Sequence, residues 1–277
     1  MLTGGIDISV GSLVAVDCML LAVGIEHWGM SSSSLMIVIL VIGLVFGLAQ
    51  GYCVAYLKIQ PFIVTMAGMF FARGMTAVLC TDQVSIVSDP FFTKLSSTKI
   101  NIPFGGYVNK KGIYQVPYIR ASVIVALLIV VLIFLMLRYT RFGRSLYAVG
   151  GNQQSAALMG LNVKSVTMRA YVLNSFLTSI GGICYCLNTM CGTTQQATGM
   201  EMDAISSSVI GGTLLTGGVG NVIGSLFGVL INGTISSLVK TNGKLISSWA
   251  NIITALLLCF FIVLQAVFAK IKEVKKV

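Results

Sequence analysis

Long apolar runs alternate with short polar segments along most of this chain. Eight apolar runs cover residues of about 8–25, 35–57, 62–80, 118–137, 169–188, 205–216, 222–239 and 250–268. The second run has 23 residues. A helix of that length crosses the ~30 Å hydrocarbon layer at ~1.5 Å per residue. The pattern therefore predicts an all-α fold, a polytopic bundle of about eight transmembrane helices.

The sixth run, residues 205–216, is too short for a complete span. As a helix it would reach only ~18 Å, well below the thickness of the hydrocarbon layer. We therefore expect either that residues before 205 extend this helix or that the helix is broken inside the bundle. A Gly-Gly turn follows the run at residues 217 and 218.

A segment at the start of the chain returns later in the sequence. Residues 2–13 read LTGGIDISVGSL and residues 215–226 read LTGGVGNVIGSL, with seven of the twelve positions identical. Asp7 faces Gly220, so the two copies differ in charge. Duplicated units of this kind are typical of transporters, in which the repeats often meet at the substrate path.

The number of spans between the two copies predicts how they are related. Six of the predicted spans separate the copies, so both should lie on one side of the membrane as a parallel internal repeat. An apolar run precedes the second copy, whereas Met1 alone precedes the first. We therefore expect that the complete unit has a further N-terminal portion of about one or two spans.

Composition excludes a water-soluble domain. Of the 277 residues, 56% are hydrophobic and 9% are charged, which is typical of a chain embedded in a lipid bilayer. The net charge is +10, but the cations lie beside the apolar runs and form no separate basic domain. The positive-inside rule explains them better than a nucleic-acid partner does.

The distribution of basic residues predicts the orientation of the chain. Segment 138–169 contains no acidic residue, and its basic residues are Arg138, Arg141, Arg144, Lys164 and Arg169. We expect this segment and the basic C-terminus in the cytoplasm. The predicted organisation is one transmembrane domain, residues 1–277, with an extracytoplasmic loop at 81–117 and a cytoplasmic loop at 138–168.

The sequence offers little for catalysis or for a metal site. It has one histidine, eight acidic residues and seven cysteines, and no C-x-x-C pair. It also has no G-x-x-x-x-G-K-[ST] run that would cradle a phosphate. We therefore expect no catalytic residue, no metal and no cofactor in this chain. Any ATP that drives transport, with its magnesium, is expected on a partner subunit.

The basic segment contains a short predicted helix. Asn152 is a good N-cap, the following residues to Met159 are good helix formers, and Gly160 is a plausible stop. This helix has no charged side chain, which suits insertion into a groove of a partner protein. The alternative is an ordinary connector whose arginines anchor lipid headgroups.

Four motifs resemble those of one transporter family. The run RFGRSLYAVGGNQQSAALMG (141–160) resembles the coupling-helix loop of the inner-membrane permeases of sugar ABC importers, the ribose, xylose and galactofuranose class. LTGGIDISVGS, PFIVTMAGMFFARG (61–74) and MDAISSSVIGGTLLTGGVG (202–220) resemble further motifs of that family. Through AGMFFARG, GGTLLTGGVG and LISSW (245–249), the chain is most similar to the galactofuranose permeases. The resemblance extends over essentially the whole chain.

The resemblance implies a permease subunit of an ABC importer for a galactofuranose-like or ribose-like sugar. In that family two permease subunits of about ten spans each form the path. The second subunit is identical or, as the galactofuranose resemblance favours, a paralogue. A cytoplasmic ABC ATPase and a periplasmic or lipid-anchored sugar-binding protein complete the machine. The alternative function is a secondary transporter of small polar solutes, which needs no ATPase.

Two sets of residues are candidates for function. The residues that match the coupling loop, and that should contact the ATPase, are Gly151, Asn152, Ala156, Ala157, Met159 and Gly160. Neutral sugars need hydrogen-bonding groups along their path. The polar residues around the two Gly-Gly turns are Asp7, Ser9, Ser12, Thr213, Thr216 and Asn221. The alternative for these turns is close helix packing alone.

Two charged residues lie inside predicted spans. Asp17 is deep in the first span and should be paired or hydrated. Arg73 lies toward the outer end of the third span, where its side chain can reach the headgroups. The sequence leaves open whether the two residues are partners.

Overall fold

Helices make up most of the computed structural model, which describes residues 1–101, 106–108, 114–241 and 248–274. The helices are α1 (Val10–Glu26), α2 (Ser32–Ala55), α3 (Pro61–Leu79), α4 (Pro90–Ser97), α5 (Ala121–Tyr139), α6 (Arg141–Gly151), α7 (Gln153–Leu158), α8 (Val163–Thr189), α9 (Met200–Ile210), α10 (Val222–Thr241) and α11 (Ser248–Val274). The strands are β1 (Val84–Ser85), β2 (Lys99–Asn101), β3 (Tyr107–Val108), β4 (Tyr114–Gln115), β5 (Tyr118–Arg120) and β6 (Cys191–Gly192). They form three antiparallel pairs, β1 with β6, β2 with β5 and β3 with β4.

The apolar runs of the sequence coincide with helices, which confirms the predicted helical membrane fold. Within the described residues, five helices are long and apolar enough to span a membrane, namely α2, α3, α5, α8 and the Val222–Val239 part of α10. α1 is slightly shorter, with 17 residues, and the apolar stretch in α11 is Ile252–Leu264. Residues 245–247 of the LISSW motif and 275–277 of the basic tail lie outside the described part of the chain.

The polar segments hold more regular structure than the sequence pattern predicts. Residues 81–117 include α4, whose N-cap Asp89 accepts hydrogen bonds from the N–H groups of Phe91 (2.8 Å) and Phe92 (3.2 Å). The basic segment contains α6, and α8 begins at Val163 rather than near residue 169. Hydrophobic periodicity gives no signal for such caps and turns, so it misses these helix ends.

α9 shows what becomes of the short sixth run. It begins at Met200, before the predicted run, and ends at Ile210. Gly212 follows with a φ of +86°, the left-handed conformation in which glycine ends a helix. Its 11 residues reach ~16 Å, about half of a bilayer core. The helix therefore begins before residue 205 but ends before residue 216, so the residues added at its start do not make it a complete span.

α1 lies in the centre of the bundle. Every residue from Gly11 to Ile25 is buried. The helix packs against α2, α3 and α8, and also contacts β6 and α9. Apolar residues surround its axis on all sides, as expected for a helix enclosed by other parts of the protein.

Consecutive spans alternate in direction, which places the polar segments at two ends. Segment 138–169 lies at one end, termed the basic end. Residues 81–101 lie at the opposite end, against the connection between α1 and α2. There the carboxylate of Glu26 accepts hydrogen bonds from the N–H groups of Val87 (2.6 Å) and Ser88 (2.7 Å), and Asp89 accepts one from the N–H of Ser32 (3.1 Å).

Glycine brings α2 and α8 into backbone contact. Gly43, Gly47 and Gly51 recur every four residues on α2 and all face α8. A Cβ atom at Gly47 would lie 2.8 Å from the Cα of Val172 and 2.9 Å from the carbonyl oxygen of Tyr171. This G-x-x-x-G-x-x-x-G stripe allows the close approach by which membrane helices associate.

Replacing Gly47 by alanine should destabilise the bundle. The added methyl group would meet the backbone of α8, and such overpacking costs about 1–3 kcal/mol. We expect a lower apparent Tm for the Gly47→Ala protein in a thermal melt in detergent. Gly181→Ala in α8 is the control, because nothing lies within 4 Å of a Cβ atom there. Equal Tm values for the two variants would contradict this packing.

Candidate functional site

Three Gly-Gly pairs meet at the basic end of the bundle. The pairs are Gly4-Gly5, Gly150-Gly151 and Gly217-Gly218, termed here the glycine junction. The N–H of Gly218 donates to the carbonyl oxygen of Leu2 at 2.9 Å. A Cβ atom at Gly217 would lie 2.5 Å from the nitrogen of Gly4, and one at Gly218 would lie 2.6 Å from the Cα of Gly151. Backbone lies against backbone at Gly4, Gly150, Gly217 and Gly218, so a side chain at these four positions would meet main-chain atoms.

The two copies of the sequence repeat form the same turn at their first glycine. Gly4 N–H donates to the carbonyl of Met1 at 2.9 Å, and Gly217 N–H donates to the carbonyl of Leu214 at 3.2 Å. Gly4 and Gly217 have φ angles of +78° and +89°. α1 and α10 then begin at positions that differ by one residue in the alignment of the copies. The repeat is therefore structural, and its copies touch, as expected for two copies on one side of the membrane.

Asp7 is the centre of a hydrogen-bond network at the start of α1. Its Oδ1 accepts from the N–H (2.8 Å) and the hydroxyl (2.6 Å) of Ser9, and its Oδ2 accepts from Nδ2 of Asn174 (2.7 Å). The Ser9 hydroxyl accepts in turn from Nε2 of Gln50 at 2.9 Å. The network joins α1 to α2 and α8. In the second copy Asn221 has a similar local role, since its Oδ1 accepts from the N–H of Ile223 at 3.0 Å.

A cavity of about 370 Å³ lies beside the glycine junction, between the starts of α1 and α10 and helices α5, α6, α8 and α9. Its polar lining residues are Thr3, Asp7, Tyr147, Tyr171, Asn174, Glu201, Ser208, Thr213, Asn221 and Ser225. Two of these side chains are carboxylic acids, and none of the described lining residues is lysine or arginine. The cavity therefore offers hydrogen-bonding groups and no cationic side chain.

The structure brings some of the predicted path residues together and separates others. Asp7, Thr213 and Asn221 all line this cavity. Ser9 and Ser12 do not line it and are buried along α1. Thr216 is exposed. Its carbonyl oxygen packs against Gly4, and a Cβ atom at Gly4 would lie 3.1 Å from that oxygen. The path role of these six residues stays a prediction.

Several lining residues were not predicted from the sequence. Tyr171 and Asn174 come from α8, Glu201 and Ser208 from α9, and Tyr147 from α6. A signal for the α8 residues exists in the sequence. The polar residues of this span, Tyr171, Asn174, Ser175, Thr178 and Ser179, recur at intervals of three or four and share a helix face.

Two buried oxygen atoms at this cavity have no hydrogen-bond partner among the described residues. They are the hydroxyl of Tyr171 and Oε2 of Glu201, and both residues line the cavity. The hydroxyl of Tyr147, by contrast, donates to the carbonyl of Gly220 at 3.0 Å, and burial raises the pKa of Tyr147. Buried polar atoms are normally hydrogen-bonded, so these two oxygens are exceptions within the described structure.

The predicted short helix in the basic segment is present as α7. Asn152 caps it, because its Oδ1 accepts from the N–H of Ser155 at 2.9 Å, and Gly160 ends it with a φ of +82°. Ala156 is fully buried and anchors the helix, whereas Leu158 is 90% exposed and Met159 is 69% exposed. The exposed side chains at the end of α7 are therefore apolar.

The two charged residues of the predicted spans are not partners. Nη1 of Arg73 donates to the carbonyl oxygens of Thr194 (2.9 Å) and Gln196 (2.8 Å), so this side chain holds the loop before α9. Asp17 is fully buried against Gly182, and the nearby hydroxyl of Ser179 interacts with its carboxylate without hydrogen-bond geometry in the described structure. Hydration of Asp17 stays a prediction.

Comparison with known proteins identifies related chains. The family described as "Branched-chain amino acid transport system / permease component" matches residues 1–263. The inner membrane ABC transporter permease protein YjfF of Escherichia coli is 42% identical over 264 residues, 95% of this chain and 76% of YjfF. The fructose import permease protein FruG of Bifidobacterium longum is 36% identical, over 95% of this chain and 75% of FruG. The ribose import permease protein RbsC of E. coli is 33% identical, over 85% of this chain and 70% of RbsC. No solved structure gives a significant match.

Alanine at Gly150 should disrupt the glycine junction, whereas alanine at Gly151 should not. A Cβ atom at Gly150 would overlap the carbonyl oxygen of Leu2 and lie 2.5 Å from the nitrogen of Gly218, while nothing lies within 4 Å of one at Gly151. We expect the Gly150→Ala protein to lose about 1–3 kcal/mol of stability, seen as a lower apparent Tm. The Gly151→Ala protein should melt as the unchanged protein does. The opposite order would show that the junction is not assembled in this way.

Proposed function

The chain belongs to the family of branched-chain amino acid transport system / permease components, and we propose that its cavity carries a monosaccharide as part of an ABC importer. Relatives named as fructose and ribose import permeases support a sugar as the cargo. The relative named as an inner membrane ABC transporter permease supports the bacterial inner membrane as the location. The chain is a transport subunit, not an enzyme.

The unpaired oxygens of the cavity are the observation that carries this proposal. The Tyr171 hydroxyl and Glu201 Oε2 are buried without a partner in the described structure, and the Asp7 carboxylate lines the same space. Sugar hydroxyls both donate and accept, so they satisfy a tyrosine hydroxyl and carboxylates at once. The ~370 Å³ of the cavity also falls within the usual range of small-ligand sites.

The family description names branched-chain amino acids, but the lining of the cavity favours a neutral cargo. An amino acid carries a carboxylate, which in a buried site needs a cation or several N–H donors. The described lining has two acidic side chains, Asp7 and Glu201, and no lysine or arginine. Like charges would repel the cargo's carboxylate, and the ammonium group of Met1, which also belongs to the lining, already interacts with Asp7. A galactofuranose-like or ribose-like monosaccharide meets no such repulsion.

A secondary transporter of small polar solutes is not favoured. Such a transporter works without an ATPase, whereas the names of the family and of YjfF describe a permease component of a larger system. The proposed partners are a cytoplasmic ABC ATPase that binds ATP and magnesium, a sugar-binding protein outside the membrane and a second permease subunit. The basic end of the bundle, with the C-terminus, would face the cytoplasm.

α7 is the proposed contact with the ATPase. It lies at the basic end, is capped at both ends, and has no charged side chain. Leu158 and Met159 are its most exposed apolar residues and would insert into a groove of the partner. Of the residues predicted to make contact, Ala156 is buried and would act by holding the helix in place.

Removing the hydroxyl of Tyr171 should weaken sugar uptake. Tyr171→Phe deletes a group that has no partner in the described structure, so the fold should not suffer, while the cargo loses one hydrogen bond. A loss of about 1 kcal/mol predicts an increase of about fivefold in the KM for uptake into vesicles that contain the complete importer. Ser208→Ala is the matched control, since that hydroxyl lines the cavity but already donates to the carbonyl of Ala204 at 2.8 Å. An unchanged KM for Tyr171→Phe would exclude this cavity as the path.

A negative charge at the exposed end of α7 should weaken the binding of the ATPase. Leu158→Asp would place an unpaired carboxylate in the proposed apolar contact, and central contact residues of interfaces contribute ~2 kcal/mol or more. We expect at least about tenfold less ATPase in copurification with the variant permease. Gln153→Asp adds the same charge at the first turn of α7, where the helix dipole favours it, and should keep the ATPase. Full copurification of the ATPase with Leu158→Asp would refute the assignment.

A further inference from the structure

A second cavity, of about 480 Å³, lies on the outer side of α8. Leu44 and Leu48 of α2 form one wall, Met136 of α5 forms the other, and Val172 and Phe176 of α8 form the floor. Phe142 of α6 closes it toward the basic end. α8 thus separates this apolar groove from the polar cavity on its other face.

The groove opens on the exposed surface of the bundle. Leu44 and Leu48 are 36% and 43% exposed, and both lie on α2, one of the helices with the composition of a membrane span. A surface of this kind at membrane depth meets acyl chains rather than water. Its occupant must therefore present an apolar chain along the helices.

The basic end of the groove carries a cation without a partner. Arg169 and Ser165, one turn apart on α8, line the groove there. Arg169 has no hydrogen bond, ion pair or ring contact with any residue in the described ranges. By contrast, Arg138 lies over the rings of Phe134 and Tyr139. The carboxylate of Asp7, which contacts α8, is bonded to Asn174 at 2.7 Å and lines the other cavity, so it does not pair with Arg169.

We propose that this groove binds one anionic phospholipid. An acyl chain lies between α2 and α5 over Val172 and Phe176, and the phosphate pairs with the guanidinium of Arg169 beside the hydroxyl of Ser165. Arginine is well suited to phosphate because its planar group donates two parallel hydrogen bonds. Basic pockets between transmembrane helices are known sites for acidic headgroups.

The distribution of charge favours a lipid over a second copy of the chain as the occupant of the groove. A second copy in the same orientation would bring its own acid-free segment 138–169 to the same depth of the membrane. That segment has no carboxylate and so supplies no partner for Arg169. An anionic headgroup neutralises Arg169, whereas a zwitterionic headgroup also brings a cation to this end.

The test is lipid titration of the full chain in detergent, followed by native mass spectrometry, with phosphatidylglycerol and phosphatidylcholine as the two probes. We expect the first phosphatidylglycerol to bind about fivefold more tightly than phosphatidylcholine, the factor that one cation contributes near an acidic headgroup. Arg169→Gln should remove this preference. Arg141→Gln is its control, because Arg141 is also exposed but does not line the groove.

A second pair of variants tests the acyl site without changing charge. Leu48→Trp fills the groove and should weaken the binding of both lipids, whereas Val45→Trp, on the exposed face of α2 outside the groove, should not. Equal losses of phosphatidylglycerol from Arg169→Gln and Arg141→Gln would show diffuse surface attraction and overturn the proposal. Unchanged binding in Leu48→Trp would overturn it as well, whatever the behaviour of the arginine variants.

Discussion

The rest of this structure depends on backbone contact at the glycine junction. In a bilayer, helices gain little from the hydrophobic effect when they associate, so close packing and hydrogen bonds must hold them together. Gly4, Gly150 and Gly217 allow three chain segments to meet without side chains between them. That contact fixes where α1, α6 and α10 begin or end, and it leaves the polar cavity beside it. The α2–α8 stripe, with Gly47 at its centre, applies the same principle inside the bundle.

Close packing around α1 leaves several buried polar atoms without partners among the described residues. The side chains concerned are Ser12, Asp17, Gln50, Tyr171, Ser175, Ser179 and Glu201. Most belong to α1 and α8, or face the contact between them. Unpaired polar groups are costly in a bilayer, so a bundle selected for stability alone would replace them with apolar residues. These polar groups are concentrated along one helix pair, and Tyr171 also lines the cavity.

The sequence predicted those features that leave a local pattern. Apolar runs located the spans, identity between the copies located the repeat, and Asn152 with Gly160 located α7, because caps and periodicity act over a few neighbouring residues. Pairing between distant segments leaves no such pattern. The contact of Gly150 with Leu2 joins residues far apart in the chain, and no single-sequence signal reports it. For the same reason Asp7 was identified from its motif, whereas Glu201 and Tyr147 emerged only from the fold.

The two copies of the repeat form similar turns but contribute different side chains to the cavity. The turns at Gly4 and Gly217 are alike, but Asp7 stands where the second copy has Gly220. The first copy thus supplies a carboxylate to the cavity. In the second copy a Cβ atom at Gly220 would lie 2.6 Å from a methyl carbon of Leu2 and 3.1 Å from the side chain of Thr213. An aspartate at position 220 would displace Leu2 and Thr213. The first copy therefore provides a charged side chain, and the glycine of the second copy leaves room for the residues that line the cavity.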